Sequence, residues 1–405
     1  MEKLTLADIP DDDLTGKRVL VRVDFNVPLD SQERVADDTR IRASLPTLRR
    51  LATAGARTII ISHLGRPRGK RVPEMSLRPA ARRLAELVDV PVHFVGETVG
   101  KQAIIATRAL AAGEFLVLEN TRFLPGDEQN DEGLAEDLAG LGDLFVNDAF
   151  GAAHRAHAST SGVAAAMKAR GDLAVAGELM RRELEYLGRT LGNPQHPFVA
   201  ILGGAKISGK IDVIESLLPR ADRILVGGAM ANTFFAARDL PTGTSLVEED
   251  RIPMARELLA RAGDTVILPL DVVVAPALDE PESSRTVDID SIPTDMMALD
   301  IGPKTVDAFT AEIVAAMTVL WNGPMGVFEV REFSDGTRGV ARALVEATRA
   351  GATTIVGGGD SAAALTDLDL HDDVSHVSTG GGASLEFIEG KGLPGVESLS
   401  DRGDI

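Results

Sequence analysis

The feature that most restricts what this chain can fold into is an alternation of short, near-continuous apolar runs with segments of helical spacing. Arg18-Val19-Leu20-Val21-Arg22-Val23 reads as a buried strand, and so does Thr58-Ile59-Ile60-Ile61. Between them Ile41, Leu45, Leu48 and Leu51 recur at three- and four-residue intervals, which predicts a helix over 41–54. Further strands are expected at 115–118 and 144–146, then at 198–202, 223–226, 265–268, 319–321 and 353–356. Strands apolar on both faces and separated by helices belong in parallel sheets covered on both sides. The fold class is therefore α/β, with two doubly wound, Rossmann-like parallel-sheet lobes, because the pattern runs twice.

Between the two runs lies a helix candidate, Gly177 to Leu191, with Leu179, Leu184, Leu187 and Leu191 on its apolar side. Gly192-Asn193-Pro194 ends it, since Gly and Asn tolerate left-handed backbone and Pro cannot continue a helix. The expected organisation is an N-terminal domain over 1–176, a joining helix over 177–192 and a C-terminal domain over 193–390. A length of 405 residues suits two or three domains of ~150 residues.

Composition removes several function classes. Hydrophobic residues make up 44% and charged residues 25%, which excludes a disordered or collagen-like chain. No stretch approaches the ~18 uninterrupted apolar residues of a membrane helix, and Met1-Glu2-Lys3-Leu4 does not open a secretory signal. There is no cysteine, so disulfides, thiolate catalysis and Cys-based zinc sites are excluded and a cytoplasmic location is expected. The net charge of -19 argues against nucleic acid and anionic membranes as partners. It is uneven: residues 1–172 hold 23 basic and 25 acidic side chains, and 173–405 hold 19 and 36. An anionic small molecule would be better received by the first part. With 33 Arg against only 9 Lys, and 35 Asp, the chain also suits a high-salt cytoplasm.

Ligands in open parallel sheets bind beyond the carboxyl ends of the strands. In the first half those positions are polar and largely cationic: Asp24-Phe25-Asn26, His63-Leu64-Gly65-Arg66, Asn120-Thr121-Arg122, and His154-Arg155-Ala156-His157, with Arg40 expected just ahead of the first helix. Arginine grips phosphate and carboxylate bidentately. One arginine would ordinarily be a surface ion pair, but several at successive strand ends imply a small ligand with several negative charges. His63 and His157 suit hydrogen bonding better than general-base work.

In the second half the strand ends are glycine-rich: Gly203-Gly204-Ala205-Lys206, Gly227-Gly228, Asn322-Gly323-Pro324, Gly357-Gly358-Gly359-Asp360-Ser361 and Gly380-Gly381-Gly382. Glycine lets backbone amides approach phosphate oxygens, although a tight strand-to-helix turn needs it anyway. Five such ends at one sheet edge suggest a nucleotide crevice. Gly204 to Lys210 matches the start of a P-loop, but Ile211 stands where magnesium would need Ser or Thr. No G-x-G-x-x-G stands between a strand and a helix. Asp360 is a candidate magnesium anchor, with a helix N-cap as its competing role.

The strings Arg22-Val23-Asp24-Phe25-Asn26-Val27-Pro28, Ser62-His63-Leu64-Gly65-Arg66-Pro67, Glu119-Asn120-Thr121-Arg122-Phe123, His154-Arg155-Ala156-His157-Ala158-Ser159, Leu202-Gly203-Gly204-Ala205-Lys206, Trp321-Asn322-Gly323-Pro324-Met325-Gly326-Val327-Phe328-Glu329, Gly357-Gly358-Gly359-Asp360-Ser361 and Ser378-Thr379-Gly380-Gly381-Gly382-Ala383-Ser384 together resemble the phosphoglycerate kinase family, in family order over essentially the whole chain. The resemblance implies a two-lobed, cytoplasmic, monomeric enzyme of glycolysis and gluconeogenesis, whose segment 391–405 packs back on the first domain. Such an enzyme moves phosphate reversibly between 1,3-bisphosphoglycerate and ADP, giving 3-phosphoglycerate and Mg-ATP, by hinge closure and in-line transfer. It implies Asp24, Phe25, Asn26, Arg40, His63, Leu64, Gly65, Arg66, Arg122 and Arg155 for the glycerate. For the nucleotide it implies Gly204, Ala205, Lys206, Lys210, Gly228, Gly302, Asn322, Glu329, Gly358, Gly359, Asp360, Ser361, Gly381 and Gly382, with Glu329 at the ribose and Asp360 at magnesium. Arg40, Lys206 and Lys210 would be catalytic. The chain departs from the pattern at Gly209, where many members carry Asp beside the Lys, and its low-Lys, high-Asp composition looks like the version of halophilic archaea. The alternatives from the residues alone are a non-catalytic two-lobed anion-binding protein and a P-loop NTPase.

Overall fold

The computed structural model describes residues 3–404, with the side chains of Arg189, Thr190 and Asp404 outside the description. Met1, Glu2 and Ile405, at the ends of the expected segments 1–176 and 391–405, also lie outside the described residues. The chain divides into two units: Met1–Glu185 with Gly392–Ile405, and Tyr186–Lys391.

The first unit is built on a six-stranded parallel sheet of β1 (Arg18–Arg22), β2 (Arg57–Ile61), β3 (Val92–Val95), β4 (Phe115–Leu118), β5 (Leu144–Asn147) and β6 (Ala174–Ala176), in the order β3-β4-β2-β1-β5-β6. β1 pairs with β2 from Arg18↔Arg57 to Arg22↔Ile61, and with β5 from Val19↔Leu144 to Arg22↔Asn147. Val19, Leu20 and Val21 are fully buried, so both faces of β1 are covered, as an uninterrupted apolar run requires. The winding reverses between β1 and β5, and the carboxyl end of such a pair is where open α/β sheets take their ligands. Leu4 donates its N–H to Ser400 O (2.9 Å) and Asn147 Nδ2 donates to Gly395 O (2.9 Å), so the C-terminal segment is part of this unit.

The helix Thr39–Thr53 buries Ile41, Leu45, Leu48 and Leu51, the face that the spacing predicts. It starts two residues before the expected boundary, because Asp37 accepts the N–H of Thr39 (2.8 Å) and Asp38 occupies the cap position. Arg40 thus sits in the first turn and not ahead of the helix. The joining segment is helical over Glu178–Glu183 and widens to a π-helix over Leu184–Thr190. That wider turn changes which residues share a face. Met180, Glu183, Leu187 and Leu191 are buried, while Leu179 and Leu184, expected on the apolar side, are half-buried.

The second unit has a six-stranded parallel sheet of β7 (Phe198–Leu202), β8 (Arg223–Val226), β9 (Val266–Ile267), β13 (Thr318–Asn322), β14 (Thr353–Gly357) and β15 (His376–Val377), in the order β15-β14-β13-β7-β8-β9. Here the switch point lies between β7 and β13. A separate antiparallel sheet of β10 (Asp271–Ala275), β11 (Arg285–Asp288) and β12 (Met297–Ile301), in the order β11-β10-β12, was not foreseen from the pattern. Its edge strand β11, Arg-Thr-Val-Asp, is largely exposed and lacks an apolar run. Trp321 is fully buried in β13, and its Nε1–H donates to Gly323 O (2.8 Å), which ties the core to the turn at the strand end.

Candidate functional site

In the first unit the strand ends converge on a connected set of side chains. Arg22, the last residue of β1, is fully buried. Its guanidinium donates to Ser62 Oγ (3.3 Å), Ser159 Oγ (3.3 Å) and Val23 O, and its Nη2 lies 3.0 Å from His63 Nδ1. Arginine has only protons to offer, so Nδ1 accepts and the ring proton of a neutral His63 sits on Nε2. Burial, reinforced by the charges of Arg22, Arg122 and Arg40, holds the imidazole well below its ordinary pKa. His63 is thereby a neutral N–H donor rather than a cation or a base.

Around it, Asp24 accepts the N–H of Asn26 (3.1 Å) and a hydrogen bond from Arg40 Nη1 (3.3 Å). Asn26 receives the N–H of Gly65 on Oδ1 (2.8 Å) and Arg40 Nη1 on its carbonyl (2.9 Å). Arg40 is 40% exposed on its side chain, so one edge of it is tethered and the rest faces solvent. Arg122 donates Nη1 to Gly65 O (2.9 Å), and its buried Nε has no hydrogen-bond partner. Arg66 and Arg155 are exposed, and Arg155 Nε donates to His154 Nε2 (3.0 Å). Phe25 and Leu64 are core side chains, 0% and 6% exposed, so any ligand contact from them is through backbone.

Sequence reasoning missed the counter-charge. Asp127, fully buried, accepts Thr121 Oγ1–H (2.6 Å) and the N–H of Ser159 (3.0 Å), and its charge opposes the effect of burial on Arg22, Arg122 and His157. Burial pulls the pKa of His157 down to about 4. Ser62 was missed as well: its hydroxyl donates to Val23 O (2.7 Å) and accepts the N–H of Phe25 (2.8 Å), locking β1 to β2 under the site.

The glycine-rich ends of the second unit serve two purposes. Gly203, Gly228 and Gly323 are needed because backbone packs on backbone: a Cβ on Gly203 would lie 2.1 Å from Pro324 O, and one on Gly323 would lie 2.3 Å from Gly203 O. The amides of Gly204 and Gly228 are engaged by Pro324 O (3.0 Å) and Met325 O (2.9 Å). These glycines weld the ends of β7, β8 and β13 together. By contrast, Gly359, Gly381 and Gly382 have nothing within 4 Å of an added Cβ, and Gly359 and Gly382 open the helices Gly359–Asp367 and Gly382–Ile388, whose first amides have no intrahelical partners. Gly302 caps the helix Pro303–Val314 and packs on the buried Asp271.

Across the switch point Lys210 Nζ donates to Asn322 Oδ1. Asn322 is 2% exposed, and its Nδ2 has no hydrogen-bond partner. A buried amide donor left open is costly unless a ligand takes it. Burial lowers the pKa of Lys210 to about 8, against the pull of Asp360 and Glu389. Lys206, Ala205 and Glu329 are exposed. Ser361 is fully buried and accepts the N–H of Gly323 (2.7 Å), so it braces the loop. Asp360 is exposed in the first turn of its helix, whose cap is Gly358, which removes the capping role. Among the described residues no three His, Cys, Asp or Glu cluster as a metal site. One free carboxylate beside a lysine suits magnesium that arrives on phosphates, since that ion takes one or two carboxylates plus phosphate oxygens. The P-loop reading fails: Lys206 and Lys210 flank a 3-10 turn, Ile207–Gly209, and no hydroxyl follows Lys210.

Two α/β units built on parallel sheets, one with guanidinium groups clustered at its strand ends and the other with lysines and helix N-termini there, fit a two-domain phosphotransferase. A phosphoglycerate kinase family model matches residues 8–391. The phosphoglycerate kinase of Chloroflexus aurantiacus is 55% identical over 406 residues, covering 99% of this chain and 100% of that one, and that of Chlorobium phaeobacteroides is 52% identical over 404 residues with the same coverage. Among solved structures, phosphoglycerate kinase from Coxiella burnetii superposes with a TM-score of 0.86 at 41% identity, and that from Pyrococcus horikoshii with 0.84 at 32%, each over 98% of both chains. The chain belongs to the phosphoglycerate kinase family, and its activity is that family's transfer of phosphate between ATP and 3-phosphoglycerate.

Proposed function

We propose that the first unit holds the phosphoglycerate and the second the nucleotide, and that phosphate passes in line between them without a phosphoenzyme. The observation that carries the division is the buried Arg22–His63 pair set among Arg40, Arg122 and Asp24, an arrangement that suits a polyanion and that is not repeated among the described residues of the second unit. In this reading Arg66, Arg122, Arg155 and the Nε2–H of His63 grip the phosphate and hydroxyl of the glycerate, through Coulomb attraction and charge-assisted hydrogen bonds of about 1.5–3 kcal/mol each. Asp24 and Asn26 orient Arg40, whose free edge faces the carboxylate that attacks. Lys206 and Arg40 take up charge on the transferring group, and Asn322 Nδ2 and Lys210 hold the nucleotide phosphates. Phosphoryl transfer asks a protein mainly for positioning and charge stabilisation, and these groups supply both.

Asp360 would hold magnesium delivered with the nucleotide, which would neutralise phosphate charge. Glu329 is exposed where a ribose could be met. The two substrates must meet, so closure of the units during turnover belongs to the proposal. A single chain carries both halves of the site, so a monomer suffices. The absence of a helix long and apolar enough to cross a membrane, among the described residues, is compatible with a cytoplasmic enzyme.

The test is a crossed kinetic experiment. Arg66→Ala should raise KM for 3-phosphoglycerate and leave KM for ATP unchanged, and Glu329→Ala should do the reverse. Equal changes in both constants for both variants would overturn the division.

A further inference from the structure

The turn Ile207–Gly209 carries Lys206 on one side and Lys210 on the other, and its own sequence gives it little to hold it. Ile207 is buried beneath it, but Ser208 and Gly209 are exposed, and nothing lies within 4 Å of where a Cβ of Gly209 would be. A glycine in an open turn adds conformational freedom, and two lysines on a loose turn would lose positional precision. The restraint comes from a residue 40 positions away. Glu248 accepts the N–H of Ser208 on Oε2 (3.0 Å) and the Oγ–H of Ser208 on Oε1 (2.6 Å), so both carboxylate oxygens close on one residue.

Glu248 is in turn fixed by the fold. Its N–H donates to Thr233 Oγ1 (3.1 Å) in the helix Met230–Ala237, and Met230 N–H donates to Gly204 O (3.0 Å) at the end of β7. A closed circuit thus runs from the strand end through Lys206 and Ser208 to Glu248, to the helix and back to the strand. Charged hydrogen bonds of this kind are about twice as strong as neutral ones.

We propose that Glu248 is a positioning residue for phosphoryl transfer: by clamping Ser208 at both its amide and its hydroxyl, it sets the turn that presents Lys206 and Lys210. This rests on the reading that those lysines act in transfer. Glu248 itself need not touch substrate. It is half-buried and polar, so its loss should affect turnover far more than folding.

The test is steady-state kinetics on the full chain, with melting temperature measured alongside. Glu248→Ala should lower kcat about tenfold, with KM for 3-phosphoglycerate unchanged. Glu248→Gln keeps an acceptor for the amide and a partner for the hydroxyl, so it should recover part of that loss. Ser208→Ala removes only the hydroxyl bond and should cost less, and Glu248→Ala combined with Ser208→Ala should be no worse than Glu248→Ala alone. Unchanged kcat in Glu248→Ala, or losses that multiply in the double variant, overturns the proposal. Should Glu248→Ala fail to fold, Ser208→Ala decides: a lowered kcat at unchanged KM for 3-phosphoglycerate supports the clamp, and an unchanged kcat overturns it. Lys206→Met separates the two readings, because unchanged turnover there refutes the lysine assignment whatever Glu248 does.

Discussion

The two units build the carboxyl ends of their sheets differently. The first uses side chains already locked to one another, with Arg22, Ser62, His63 and Asp127 buried and hydrogen-bonded beneath arginines that reach solvent. The second uses backbone: its glycines either weld strand ends together or leave helix amides open, and its cations sit on a turn clamped from outside. Charge follows the same division. The unit of 1–185 and 392–405 carries 26 basic and 31 acidic side chains, while 186–391 carries 16 and 30. A preformed side-chain site tolerates little substitution of its cations. A backbone site tolerates little addition of volume at its welds.

That contrast breaks most sharply at Arg40. Arg40→Ala should lower kcat by about 10²–10³-fold, the usual size for losing one group that stabilises transition-state charge. Its melting temperature should stay near that of the parent, because the side chain is 40% exposed and outside the core. Near-normal turnover would remove Arg40 from the chemistry.

Within the second unit the two kinds of glycine should separate. Gly203→Ala places a methyl 2.1 Å from Pro324 O and 2.6 Å from Met325 Cε. It should destabilise this unit by about 3 kcal/mol, at the upper end for overpacking. Gly359→Ala, with open space around it, should fold normally and weaken only nucleotide binding. Denaturant titration followed by nucleotide binding distinguishes them, and equal stability of the two variants would contradict the weld.

A smaller effect should appear with pH. Burial raises the pKa of Asp148, in the first unit, from 3.8 to about 7. Its Oδ1 accepts the amides of Leu179 (2.9 Å) and Met180 (3.2 Å), and its Oδ2 has no hydrogen-bond partner. Since the folded state keeps a proton that the unfolded state releases, stability should fall as pH rises from 3.8 to about 7, by at most ~1.4 kcal/mol per pH unit from this group. Asp148→Asn retains the accepting oxygen and should flatten that slope in urea midpoints. An unchanged slope would show that the carboxyl ionises freely. The smallest effect is that of salt: a high-salt origin predicts a melting temperature that rises with KCl, chiefly in the more acidic second unit, and a flat series contradicts it.

Much of this was legible in the sequence, for physical reasons. Strands covered on both faces, such as β1 and β13, announce themselves as apolar runs, and ligand groups at their carboxyl ends follow by position. Arg40, His63, Arg122, Lys206 and Lys210 are candidates on that ground. The antiparallel sheet was not legible: β10 carries the apolar run Val272-Val273-Val274, but its partner β11 is polar and exposed, so nothing marks the pairing. Asp127 and Glu248 were not, because an acceptor that acts on a residue 32 or 40 positions away leaves no periodicity. The glycines were legible as turns, but sequence could not tell a weld such as Gly203 from an open position such as Gly359, since that depends on what the Cβ would meet.

The division of substrates between units is most directly tested by hydrogen exchange on the full-length protein with each ligand added separately. With 3-phosphoglycerate alone, protection should appear in peptides covering 22–27, 62–67 and 120–124. A non-hydrolysable ATP analogue with magnesium should instead protect 203–211, 322–329 and 357–362. Protection of one and the same unit by both ligands would contradict the account.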